Sequence, residues 1–167
     1  MIYNKGCNGA VGNNITYWQC FEYMFVLSKG MPKTINLIRD RENLEARIKG
    51  CKGTKREKDG SLTHVYQSGY QQFGRRTNIW QYLTGKGHST KDVVATLHPA
   101  IFPEKLVRDH IKSWSNEGDV VLDPFMGSGT TAKVARALGR KYIGFEISQQ
   151  YVDLANKRLQ ETKTLFD

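Results

Sequence analysis

Val120-Val121-Leu122-Asp123-Pro124-Phe125-Met126-Gly127-Ser128-Gly129-Thr130-Thr131 is the stretch that decides how this chain folds. Its first three residues form a continuous apolar run, short and β-rich, as expected of a buried strand. A carboxylate closes the run, and two glycines separated by one serine follow. A helix then extends to about Leu138 and stops at Gly139, where the absent side chain suits a left-handed C-terminal turn. Tyr142-Ile143-Gly144-Phe145-Glu146-Ile147 reads as the next strand. Ser148 is placed to cap a last helix that carries Tyr151, Leu154, Ala155 and Leu159 on its inner face. Upstream, Pro103 suits the first turn of a helix, since its missing N–H costs nothing there. Leu106, Val107, His110, Ile111 and Trp114 follow on one face of that helix. Strand, loop, helix, strand, helix is the texture of a parallel α/β sheet.

Three ligands compete for the glycine loop. A nucleoside triphosphate needs a lysine directly after the second glycine of a P-loop. Here Thr130 and Thr131 follow Gly129, and the first lysine is Lys133. A dinucleotide fits Gly127-Ser128-Gly129-Thr130-Thr131-Ala132 formally, with Glu146 at the next strand end as a ribose ligand. Against it, Asp123 would stand near a pyrophosphate and repel it. S-adenosylmethionine carries an ammonium and a sulfonium and no phosphate, so the same carboxylate attracts it. The glycines then let the backbone approach the methionine part closely, and Glu146 can accept from both ribose hydroxyls. A tight turn with no ligand explains a lone Gly-x-Gly, but not one with Asp123 before it and Glu146 after it.

The rest of the chain is less regular. Its 167 residues suffice for one modest domain with a real core. The formal charge is +9, and the excess sits in the middle. Between Lys29 and Arg76 there are twelve Lys/Arg against five Asp/Glu, a net of +7. That balance suits a polyanionic partner, or only a solvated lysine-rich surface; Tyr66, Tyr70, Phe73 and Trp80 interleave with the basic residues. Phe21-Glu22-Tyr23-Met24-Phe25-Val26-Leu27-Ser28 reads as a buried strand, and residues 31–92 as loops and short elements with a helix about Asn43–Lys49. Cys7, Cys20 and Cys51 match neither a zinc pattern nor a disulfide framework. No apolar run approaches the roughly 20 residues of a membrane span, and the first residues lack the apolar stretch of a signal peptide. These features point to the reducing cytoplasm.

The segment Val121–Thr131 closely resembles the cofactor motif of DNA N6-adenine and N4-cytosine amino-methyltransferases. Leu138–Ile147 and Tyr151–Leu159 continue the likeness, as do Asn78-Ile79-Trp80, His98–Glu104 and Phe21–Gly30 upstream. The order resembles the permuted, β-type class, in which the catalytic half precedes the cofactor half. The resemblance implies an α/β, Rossmann-like S-adenosylmethionine-dependent methyltransferase fold, incomplete on its N-terminal side. It implies one domain over residues 1–167, with 31–92 as a basic target-recognition insertion and 93–167 as the cofactor half. Asp123, Pro124, Phe125, Gly127, Ser128, Gly129 and Thr130 would line the methionine end of the cofactor. Glu146 would hold the ribose, and Pro99, Ala100 and Phe102 would close the pocket. Arg75, Arg76 and Trp80 would face double-stranded DNA, Trp80 being as readily a core residue. His98 takes no acid–base role.

One part of the family pattern is absent. Such enzymes flip the base and hold its amine with a short Asp/Asn/Ser-Pro-Pro-aromatic segment. The four prolines, at 32, 99, 103 and 124, are never adjacent. The resemblance places that segment, and a central strand beside Val120–Leu122, before Met1. The expectation is therefore a chain inactive alone, completed by a second chain or by a homodimer. The alternatives are a non-catalytic DNA- or cofactor-binding subunit and a truncated remnant.

Overall fold

The computed structural model describes residues 1–5, 20–44, 51–67, 69, 71–85, 87–92, 94–101 and 103–162. Its strands are β1 (Ile2–Asn4), β2 (Phe21–Tyr23), β3 (Arg39–Glu42), β4 (Cys51–Arg56), β5 (Leu62–Gln67), β6 (Phe73–Arg75), β7 (Ile79–Gln81), β8 (Val120–Asp123) and β9 (Lys141–Gly144). Its helices are α1 (Glu104–Trp114), α2 (Thr130–Ala137) and α3 (Gln149–Gln160), with a 3-10 turn at Val94–Leu97. The chain divides into one unit of residues 1–36 and 78–167 and another of residues 37–77.

In the larger unit, β8 and β9 run parallel in register from Val120 opposite Lys141 to Asp123 opposite Gly144. Helices α1 and α2 cover one face of this pair. Val107, Ile111, Val134, Ala135 and Leu138 are buried together, and Val121 packs against them from β8. Full burial of each larger aliphatic side chain contributes about 1.5–3 kcal/mol. Arg140 fastens the ends of the two helices, its Nη2 donating to the Ser115 carbonyl at 2.9 Å and its Nη1 to that of Leu138 at 2.5 Å. The expected start of α1 is observed, with Pro103 immediately before its first turn. Helix α2 ends where expected: Leu138 caps it and Gly139 follows at φ +72°.

A second sheet of this unit places β1 between antiparallel β2 and parallel β7. The reading of Phe21–Ser28 as one buried strand is corrected here. Only Phe21–Tyr23 is strand and all three residues are exposed, while Phe25 and Leu27 beyond it are more than four-fifths exposed. An apolar β-rich run fits a sheet, but burial needs a covering layer, and β2 pairs on one edge only. Strand β8 behaves similarly: Val120 and Leu122, on the face away from the helices, are 56% and 59% exposed. Among the described residues β8 pairs with β9 alone.

The smaller unit consists of two antiparallel pairs, β3 with β6 and β4 with β5. The helix expected about Asn43–Lys49 falls mostly on residues 45–50, outside the described residues. Among the described residues no helix is long and apolar enough to cross a membrane.

Candidate cofactor-binding site

The glycine loop folds back over the end of β9. The Phe145 N–H donates to the Asp123 carbonyl at 3.0 Å, and the Met126 N–H donates to the Phe145 carbonyl at 2.8 Å. Asp123 Oδ1 accepts the Phe125 N–H at 3.0 Å, which holds the carboxylate at the mouth of the loop. Gly127 and Gly129 take φ of +50° and +77°, a conformation costly for any residue with a Cβ. Space demands glycine as well. A Cβ on Gly129 would stand 2.8 Å from the Ala155 Cβ of α3, and one on Gly127 would stand 3.1 Å from His98 Nε2.

Glu146 is anchored from two sides. Its Oε1 accepts the Ser148 N–H at 2.9 Å and its Oε2 accepts the Gly127 N–H at 2.8 Å. The Ser148 N–H leads in holding this carboxyl below its ordinary range. Desolvation opposes it, and the Gly127 and Ile147 N–H groups and the nearby His98 reinforce it. Each oxygen keeps one further acceptor direction. Ser148 occupies the expected N-cap position of α3, but its hydroxyl makes no cap bond, and the Glu146 carboxylate satisfies the helix terminus instead. Beside Glu146 lies an open depression of about 420 Å³ lined by Pro124, Phe125, Phe145, Glu146 and Ile147.

The segment before α1 reaches the loop through His98. Its ring lies 4.3 Å from that of Tyr151, its Nδ1 accepts the Ala100 N–H at 3.1 Å, and its Nε2 faces Gly127. Pro99 and Ala100 are thereby held close to the loop; Phe102 lies outside the described residues.

Beneath the loop is a network that the hydrophobic pattern of α3 conceals. The Arg158 side chain is fully buried. Its Nη1 donates to the Ser128 carbonyl at 2.6 Å, to Ser128 Oγ at 3.0 Å and to Thr130 Oγ1 at 3.2 Å. Its Nε meets Asp92 Oδ2 at 2.6 Å and its Nη2 meets Glu104 Oε1 at 3.0 Å. Lys133 Nζ joins Glu104 at 2.8 Å. Burial pushes the Asp92 carboxyl up, but the hydrogen bond and charge of Arg158, with Lys133, bring it below its ordinary range. Ser128 and Thr130, expected to line the cofactor, turn their side chains into this network and leave backbone to the loop's outer side. The one sequence signal was position: Arg158 follows Leu154 and Ala155 by four and three residues, a cation on the inner stripe of α3.

Residues 1–157 match the DNA methylase family of N6/N4 type. The chain belongs to this family. It is 55% identical over 162 residues to the orphan methyltransferase M.BamHII of Bacillus amyloliquefaciens, covering 96% of this chain and 61% of that protein. It is 50% identical over 88 residues to the type II methyltransferase M.HinfI of Haemophilus influenzae, covering 52% of this chain and 24% of that protein. The crystal structure of the M1.HpyAVI–SAM complex superposes with a TM-score of 0.57 at 21% identity, over 95% of this chain and 59% of that one. The fold is thus the α/β, Rossmann-like fold of the S-adenosylmethionine-dependent methyltransferases. The chain spans about three-fifths of the length of M.BamHII.

Of the three residues expected on the DNA side, Trp80 is corrected. It is 6% exposed and packs edge-on against Tyr82 and beside His110, because β7 turns it into the larger unit's interior. Arg75 and Arg76 lie in the smaller unit, at and just after the end of β6. Arg76 is drawn to Asp40, its Nε 2.9 Å from Oδ2, whereas Arg75 is exposed.

Proposed function

We propose that this chain carries the methyl-donor site and a DNA-binding surface of a site-specific DNA amino-methyltransferase. The observation that supports this most is Glu146, pinned by two backbone N–H groups at the end of β9 with acceptor capacity left toward an open depression. Those remaining lone pairs suit a ribose diol. The residues present also fit the rest of S-adenosylmethionine. Asp123 offers a carboxylate to its cationic methionine end, Gly127 and Gly129 present bare backbone, and Phe125 and Ile147 offer apolar surface to the adenine. The chemistry this cofactor supplies when bound is a methyl group on a positively charged sulfur, transferable to an exocyclic amine of adenine or cytosine. The role of this chain's residues is binding and orientation: Glu146 fixes the ribose, and the Arg158 network holds the loop that fixes the methionine part. The smaller, basic unit around residues 37–77 would meet double-stranded DNA, in the cytoplasm where that DNA lies.

A second reading, a non-catalytic binding subunit, is favoured by one observation: no two prolines are adjacent, so the segment that would hold the acceptor amine is not in this sequence. Titration calorimetry with S-adenosylmethionine tests the donor site, with one site per chain expected and no binding overturning the proposal. Transfer of labelled methyl to unmethylated DNA separates the two readings. Transfer only when a polypeptide carrying a double-proline segment is added supports the first. Binding with no transfer in either mixture supports the second.

A further inference from the structure

The smaller unit holds a pocket of about 370 Å³ lined by Arg39, Arg41, Asn43, Gln71, Phe73, Gly74 and Arg75. Its construction is unusual in charge. Arg39 and Arg75 are directly opposite each other across the β3–β6 pair. Side chains so placed stand about 5 Å apart at Cβ, and like charges there destabilise the sheet. Arg41 adds a third guanidinium. It is kept on the pocket by its Nε, which donates to the Arg75 carbonyl at 3.2 Å. Among the described residues no carboxylate pairs with any of the three. The acids nearby are engaged or turned elsewhere. Asp40 sits at an irregularity in the β3–β6 register and takes Arg76, and Glu42 stands opposite Phe73 without lining the pocket.

The pocket is also built rather than incidental. Asn43 is buried and ties β3 to the neighbouring loop, its Nδ2 donating to the Gln71 carbonyl at 2.7 Å and its N–H to that of Gln72 at 2.9 Å. Gly74 leaves the floor bare. A Cβ there would stand 2.6 Å from Arg41 Nη2 and 2.9 Å from Asn43 Oδ1, so the bare glycine makes room for both groups over the strand.

We propose that Arg39, Arg41 and Arg75 form a clamp for one backbone phosphate of DNA, an inference that rests on the proposed DNA-binding role of this unit. A base edge is neutral and leaves the Arg39–Arg75 repulsion in place. A phosphodiester carries the negative charge that relieves it, and its two free oxygens suit guanidinium forks. The clamp therefore contributes to affinity for any duplex and reads no sequence.

The test is the binding of the full chain, unaltered and as Arg39→Gln, Arg75→Gln and the double variant, to two short duplexes of unrelated sequence across a KCl series. Neutralising one phosphate contact lowers the slope of log affinity against log salt by about 0.9. Each single variant is expected to lose affinity equally for both duplexes. The double variant should lower the slope by no more than about 1 in total, because all three arginines serve one phosphate. Melting temperatures should hold or rise, since a repulsion is removed. An unchanged slope, or a loss confined to one of the two sequences, overturns the clamp while leaving DNA binding by the chain intact. Failure of the unaltered chain to bind either duplex overturns the clamp together with the DNA-binding role.

Discussion

Gly129 is where one added methyl group should cost most. In Gly129→Ala the new Cβ meets two penalties. The residue sits at φ +77°, and a Cβ in the left-handed region costs about 1–2 kcal/mol. The same Cβ would lie 2.8 Å from the Ala155 Cβ and 3.2 Å from its Cα, so helix α3 must shift outward. Overpacking of this kind costs about 1–3 kcal/mol. Together the substitution should destabilise by roughly 2–5 kcal/mol. That lowers the melting temperature by about 4–20 °C for a chain of this size. The partner substitution Ala155→Gly separates the two penalties. Alone it costs about 1 kcal/mol, as glycine does in a helix. Combined with Gly129→Ala it removes the Cβ–Cβ conflict while the backbone strain remains. A double-mutant cycle by thermal melting should return a favourable coupling of about 1–2 kcal/mol. If Gly129→Ala melts with the unaltered protein, or if the double variant is merely additive, the close packing of loop on α3 is wrong.

Glu146→Gln leaves one amide oxygen where two carboxylate oxygens each accept a backbone N–H. S-adenosylmethionine affinity measured by calorimetry should fall on the order of 10–100-fold, the value of one hydrogen bond to a charged group. Arg158→Met takes the guanidinium from the partly buried Asp92 carboxylate and frees the loop from below. Removing one member of a buried ion pair costs about 3–5 kcal/mol, and Lys133 should hold the loss near the lower figure, read as a denaturant midpoint. Acid should act through Asp92. Its folded carboxyl is held below the unfolded value, so its stabilisation is present above about pH 4 and is lost as pH falls through the folded value. Melting followed into that acid range should be shallower for Asp92→Asn than for the unaltered chain.

The candidate site was legible from local pattern because its parts are local in sequence. A strand, a glycine turn and an acid at the next strand end occupy Val120 to Glu146, and their order alone places Asp123, Gly127, Gly129 and Glu146 at one sheet end. The ends of α1 and α2 were legible for the same reason, since Pro103 and Gly139 act on the backbone beside them. Trp80 was not legible. An aromatic residue in a basic stretch suits a DNA surface or a core equally, and only the packing of β7 on His110 and Tyr82 decides. Phe21–Ser28 misled in the opposite direction, because apolar composition cannot supply the second layer that burial requires.

Sequence by itself determined the fold class, the position of the glycine loop and the basic character of the middle of the chain. These follow from periodicity, backbone conformation and charge, which are properties of short segments. Tertiary structure alone decided what surrounds them. It showed that Arg158 reaches back thirty residues to hold Ser128 from below, and that Glu146 is set by Gly127 as much as by its near neighbour Ser148. It also set Arg39 across a strand pair from Arg75 and gave Arg76 to Asp40. Each of these joins residues distant in the chain, and the free energy of such contacts depends on distances that no local pattern encodes.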